Sequence, residues 1–162
     1  MALKKVLTRE NTPTDELKRS VEKEFKGVSI AYEEVYYLDY EVDEDTGIIN
    51  RTKLVPHYTK DQMTRNMKAM RSAYLAARGA VTPTEIIRFR EKHQIAASVL
   101  SLILGFSKNT ISNIENEGVT SLSSGRYIKV CLNDTTLLRQ YVETCLAIET
   151  QKKREILKSI SA

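Results

Sequence analysis

The chain has 162 residues, 41% of them hydrophobic and 28% charged, with a formal net charge of +4 and two cysteines. That composition can bury a core for one domain or two small ones and excludes a disordered chain. No apolar run approaches the roughly eighteen residues of a transmembrane helix, and Met1-Ala-Leu-Lys-Lys turns polar too early for a signal-peptide core, so a cytoplasmic protein with no membrane partner is expected. Cys131 and Cys145 lack Cys-x-x-Cys spacing and read as reduced, half-buried thiols, not as a disulfide or a thiolate zinc site. A pI near 9.0 suits a polyanion partner without requiring one.

In chain order, Leu17, Val21 and Phe25 recur at intervals of four among charges, predicting a short amphipathic helix over 14–26 that Gly27 stops. The β-branched and aromatic run Val28 to Val42 predicts one or two strands. Asp43-Glu-Asp-Thr-Gly47 marks a turn, and Ile48 to Val55 returns as a partner strand that Pro56 ends. The acids Glu33, Glu34, Asp39, Glu41, Asp43, Glu44 and Asp45 have no base among them, which describes either a solvated acidic turn or a docking edge for a basic partner, with Glu33, Glu34 and Asp39 as its contacts. From Thr59 to Ala77 the periodicity becomes helical, with Met63, Met67, Met70, Tyr74 and Leu75 on one stripe and Gly79 as C-cap. A domain boundary is expected there, giving a small α/β N-terminal domain over 1–79 and a second domain over 80–162.

Thr82-Pro-Thr-Glu85 combines an N-cap, a proline at the first helical position and an acid three residues after the cap, which starts a helix over about 83–92. A second helix, about 96–104, carries Ile95, Val99, Leu100, Ile103 and Leu104 and ends at Gly105, suited to a left-handed turn. Ser107 is placed to cap a third, Lys108-Asn-Thr-Ile-Ser-Asn-Ile-Glu, whose Ile111 and Ile114 face inward. Its outer face is then Lys108, Asn109, Thr110, Ser112 and Asn113. Two helices joined by a glycine turn, the second studded with small polar donors and one cation, fit the major groove of double-stranded DNA. Asn can bond adenine N6 and N7, Lys guanine O6 and N7, and Ser or Thr a phosphate or a base edge. Arg88, Arg90 and Lys92 supply charge beside it. An ordinary helical pair with a hydrophilic face is the plainer alternative.

The segments Thr82-Pro-Thr-Glu-Ile-Ile-Arg-Phe-Arg-Glu-Lys and Leu104-Gly-Phe-Ser-Lys-Asn-Thr-Ile-Ser-Asn-Ile-Glu-Asn-Glu-Gly118 resemble the Xre, or Cro/C1-type, helix-turn-helix of phage repressors and antitoxins. Lys26-Gly-Val-Ser-Ile-Ala-Tyr-Glu-Glu-Val-Tyr-Tyr37, followed by a turn and the helix over 59–78, is similar to the β-sheet N-domain of MqsA (YgiT-type) antitoxins. The resemblance implies a dimeric, autoregulating DNA binder whose N-domain engages a protein such as a toxin or an anti-repressor. Two departures stand out. The family's zinc-binding cysteine pairs are replaced by Tyr37-Leu-Asp-Tyr-Glu-Val, so no metal is expected, and the second helix opens Ala96-Ala97-Ser98-Val99 in place of a polar cap and Gln. Val99 and Leu102 are accordingly either covered by the chain itself or a patch for a partner.

Ser121 to Leu132 predicts a fourth helix, with Arg126 in reach of a phosphate. A fifth is expected from about Asp134 to Ile160, apolar on more than one face from Leu137 to Ile148. One face would serve the core; Leu138, Tyr141, Val142, Cys145 and Leu146 are the candidate homodimer interface that a half-site reader requires. His57 and His93 stand apart, and no phosphate loop, nucleophile elbow or cofactor fingerprint occurs, so catalysis and a cofactor are not expected. The sequence thus predicts an α+β chain, a small antiparallel β domain followed by an all-α five-helix domain, acting as a sequence-specific DNA-binding regulator; the alternative is a toxin-neutralising interaction module with a degenerate helix-turn-helix.

Overall fold

The computed structural model describes residues 2–161 and divides into two compact units, with the division inside a helix between Ala73 and Tyr74. In the first unit, β1 (Lys5–Leu7) and β2 (Pro13–Asp15) form a two-stranded antiparallel sheet, Val6 opposite Thr14. A separate three-stranded antiparallel sheet contains β3 (Leu17–Phe25), β4 (Val28–Val42) and β5 (Ile49–His57), with β4 in the middle.

The helix expected over 14–26 is strand β3. An interval of four puts residues on one face of a strand as well as of a helix, because four is a multiple of the strand period, and Leu17, Val21 and Phe25 are the half-buried positions of β3. Lys26 and Gly27, with φ of 49° and 75°, supply the two-residue turn whose twist suits a hairpin. The partner, β4, is a single strand of 15 residues. Its first half pairs with β3 and its second half with β5, across an irregularity at Tyr40/Glu41. Nor does Pro56 end β5: it sits opposite Leu38 on an edge strand, where a missing N–H directed outward costs no ladder bond.

Helix α1 (Lys60–Ala77) opens with a reciprocal cap, Thr59 Oγ1 accepting from Gln62 N at 3.1 Å and Thr59 N donating to Gln62 Oε1 at 2.9 Å. Its buried face is polar. Gln62 is fully buried and Asn66 nearly so, whereas Met63 and Met67, expected on the inward stripe, are 55% and 65% exposed. The reason is Glu16, buried in the first unit, whose carboxylate takes Arg65 and Gln62 and so requires the polar side of α1 against it. Arg65 holds the Glu16 carboxyl down at about 2.

In the second unit the last turn of α1 ends at Gly79 (φ 91°), Gly79 N donating to Ala76 O and Ala80 N to Leu75 O. Then follow α2 (Pro83–His93), α3 (Ala97–Ile103), α4 (Thr110–Glu117), α5 (Leu122–Asn133), α6 (Thr135–Thr144) and α7 (Thr150–Ile160). The five-helix domain expected after a β domain is therefore not what forms. Among the described residues there are two sheets and seven helices, with six helices after α1. The single C-terminal helix expected to Ile160 is broken at 145–149. Cys145 and Glu149 are extended, with ψ of 109° and 148°, and the reversal lets Ile156 and Ile160 of α7 join a core with Ile86, Leu100, Ile111 and Ile128. Neither Pro nor Gly marks that break in the sequence.

Candidate nucleic-acid interface

The geometry of the second unit begins with the start of α2. Thr82 and Glu85 form the capping box, Glu85 N to Thr82 Oγ1 at 3.2 Å and Thr82 N to Glu85 Oε2 at 2.7 Å, with Pro83 in the first turn. Lys129 reaches Glu85 Oε1 at 3.2 Å from α5. The α3–α4 turn is closed by Gly105 (φ 82°), Gly105 N donating to Leu102 O and Phe106 N to Ser101 O. Tyr127 Oη donates to Leu104 O at 2.9 Å and its ring meets Phe106 edge-on. Burial raises the Tyr127 phenol well above its ordinary range.

Two side chains fix α4 to its neighbours. Ser101, fully buried on α3, donates to Ala97 O at 2.9 Å and accepts the Ile111 N–H at 2.9 Å. This satisfies one of the donors that a helix start leaves open. Arg90 of α2 forms a forked pair with Glu115 of α4, Nε to Oε1 at 2.5 Å and Nη2 to Oε2 at 2.8 Å, while Nη1 reaches Ile95 O at 3.1 Å. Ile111 and Ile114 are buried beneath. One side of α4 is thus held at three places, and its other side faces solvent.

Of the expected contacts, Thr110, Ser112 and Asn113 lie on α4, and Ser107, Lys108 and Asn109 lie just ahead of it. Lys108, Asn109 and Asn113 are exposed and Thr110 and Ser112 half-buried. No side-chain hydrogen bond or ion pair within the described residues occupies Lys108, Asn109 or Asn113. Ser107 is exposed but is not the cap. α4 starts at Thr110 with Asn109 in the cap position, because Ser107 to Asn109 form a turn in which Ser107 O takes Thr110 N at 3.1 Å. Ser107 Oγ instead meets Thr110 Oγ1 at 2.9 Å. Lys108 and Asn109 therefore lie in the turn ahead of the helix.

Comparison with protein-family models, curated proteins and solved structures finds no match to this chain.

The remaining expected contacts divide. Arg88 and Lys92 are exposed on α2, but Arg90 is committed to Glu115, since a guanidinium fork matches a carboxylate better than open solvent does. Arg126, expected at a phosphate, donates from Nε to Arg78 O at 2.9 Å and so satisfies the carbonyl end of α1. Val99 packs against the core and Leu102 is half-buried.

The expected dimer face does not exist as a face. Leu138 and Val142 are 1% and 0% exposed in the core of the second unit, and Tyr141 packs against that core. The break after α6 brings α7 onto the side that the sequence left uncovered. Cys145 is half-buried, and only Leu146, 98% exposed, stands free of the five.

Two of the three acids expected at the acidic edge, Glu33 and Glu34, are paired across the sheet, and Asp39 is not. Glu33 pairs with Lys18 at 2.9 Å and Glu34 with Arg19 at 2.8 Å, and Asp39 Oδ1 accepts the Tyr40 N–H. Sequence order hid this because the cations lie on β3, read as a helix. Among the described residues no helix is long and apolar enough to cross a membrane, and no group of three or more His, Cys, Asp or Glu is placed to hold a metal ion.

Ser101 and Glu115, which position α4, were not singled out from the sequence. A serine at the fifth position of an apolar helix gives only a faint signal, and an acid in the second turn of a polar helix reads as surface.

Proposed function

We propose that the second unit binds double-stranded DNA as a sequence-specific regulator, with α4 entering the major groove. The observation that carries this is the division of α4 into a pinned, buried side and an open side bearing Ser112 and Asn113, with Lys108 and Asn109 exposed in the turn just ahead of it. A reader of base edges needs both properties: donors and acceptors without internal partners, and a helix that does not shift when it touches DNA. The resemblance of residues 82–92 and 104–118 to Xre-type regulators supports the same reading. Arg88 and Lys92 on α2 are the proposed phosphate contacts; Arg90 takes no part, being paired with Glu115, and Arg126 is left out because its Nε bond to Arg78 O holds it at the end of α1.

Selection from random duplex DNA tests the proposal. An enriched site is expected, with affinity falling steeply as salt rises because bound cations release counterions. Asn113→Ala is expected to lower affinity for that site by about 1–3 kcal/mol and to relax preference at one base pair, whereas Lys92→Ala lowers affinity on all sequences alike. No enrichment, or an Asn109→Ala/Asn113→Ala double variant with unchanged preference, refutes base reading by α4.

A further inference from the structure

The first unit contains a position for a β-strand that none of the described residues fills. β4 has β3 along one edge from Val28 to Tyr36, but β5 meets the opposite edge only from Tyr37 onward. At Val35, Asn66 of α1 replaces the missing strand, its Oδ1 accepting the Val35 N–H at 2.8 Å and its Nδ2 donating to the Val35 carbonyl at 2.9 Å. Both backbone groups of Val35 therefore point away from β3. Strand alternation turns those of Ser29, Ala31 and Glu33 the same way, and these three residues are exposed. No hydrogen bond from a described residue reaches that edge at the three positions.

Beside the edge lies a groove of about 280 Å³, walled by Tyr32 and Tyr58 on one side and by Met63, Met67 and Met70 of α1 on the other. Exposed methionines are polarizable and adaptable, a surface that accommodates varied apolar side chains. Its charge is one-sided. Glu34 is occupied by Arg19 and by the Tyr58 hydroxyl, whereas Lys23 lies 5.7 Å from the Tyr32 ring centroid and has no carboxylate among the described residues.

We propose that this edge and groove bind an extended segment of a partner protein by strand addition, the segment carrying apolar side chains at alternate positions and carboxylates beside them. The open N–H and C=O groups at Ser29, Ala31 and Glu33 recognise the backbone, the methionine wall takes the alternate side chains, and Lys23 selects for acidic residues. A second copy of this chain is a poorer occupant. It would bring its own α1 against this one and set Lys23 near another Lys23. The site lies wholly in the first unit and is independent of the DNA proposal.

The test is selection of displayed random peptides on the full chain, followed by fluorescence anisotropy with the synthesised winners. Enrichment of alternating apolar and acidic residues is expected, with amide-exchange protection appearing at Ala31 and Glu33 when peptide is added. Ala31→Pro removes an N–H that β3 does not use, and is expected to weaken binding by about tenfold or more. Lys23→Glu is expected to weaken it similarly. Circular dichroism checks that Ala31→Pro keeps the sheet; if it does not, Met67→Asp, at a position 65% exposed, serves in its place. The proposal is overturned if no peptide is enriched, if winners are basic, or if they bind the folded variants as tightly as wild type. It is also overturned if the same amides become protected without peptide as protein concentration rises, which would make the occupant a second copy.

Discussion

Arg90 separates the two roles that a cation on α2 can have. As a DNA contact it would be free to leave the protein surface; as built, it holds α4 through a forked pair with Glu115 and reaches the Ile95 carbonyl. The paired side chains are 21% and 12% exposed, so the interaction is worth more than a surface ion pair and less than a fully dry one. Arg90→Ala leaves the Glu115 carboxylate without its partner, and hydrogen bonds to charged groups contribute about 1.5–3 kcal/mol each. Discounting for partial solvent access, a loss of about 2 kcal/mol is expected. In a unit of this size that is a fall in melting temperature of roughly 10 °C. Glu115→Ala is expected to cost a similar amount, and the double variant clearly less than the sum, with a coupling of about 1–2 kcal/mol. Thermal and urea unfolding followed at the helical circular dichroism band gives all four corners of the cycle. DNA affinity of Arg90→Ala, measured well below its melting temperature, is expected to change little beyond what the loosened helix costs. If instead Arg90→Ala melts like wild type, couples to nothing at Glu115 and loses DNA affinity, the positioning role is wrong and Arg90 is a contact.

Three further outcomes follow from the packing and the charges. Gly125 lies so close to Ala80 that an added Cβ would stand 2.6 Å from the Ala80 Cβ, so Gly125→Ala is expected to destabilise the second unit by about 1–3 kcal/mol, read as a lower urea midpoint. Val142→Asp places a carboxylate at a fully buried position, and is expected to abolish cooperative folding of the helices; a folded monomer from a wild-type dimer would show that α6 presents Val142 outward after all. Because the Glu16 carboxyl is held at about 2 against an ordinary 4.5, its contribution to stability is complete above pH 4.5. It is lost as pH falls towards 2. Glu16→Gln should therefore lower stability at neutral pH and flatten the acid limb of a near-ultraviolet circular dichroism titration; an unchanged limb would contradict that assignment.

Local chemistry settled those parts of the molecule whose signals are short-range. Thr82-Pro-Thr-Glu85 fixed the start of α2 because both halves of a capping box lie within one turn. Gly79 and Gly105 closed helices because both adopt positive φ. The inward Ile111 and Ile114 and outward Asn113 followed from helical periodicity alone, once the segment was known to be helical. What required the tertiary structure was every feature decided by a distant partner. The interval of four in Leu17, Val21 and Phe25 is common to helix and strand, and only pairing with β4 selects the strand. Met63 and Met67 face solvent because a carboxylate on Glu16 claims the other side of α1. Leu138 and Val142 are core, not interface, because the chain reverses at 145–149 without proline or glycine to announce it, and the burial gained by Ile156 and Ile160 favours the reversal. Arg90 and Glu115 are 25 residues apart, so their charges looked independent until the fold brought them to 2.5 Å.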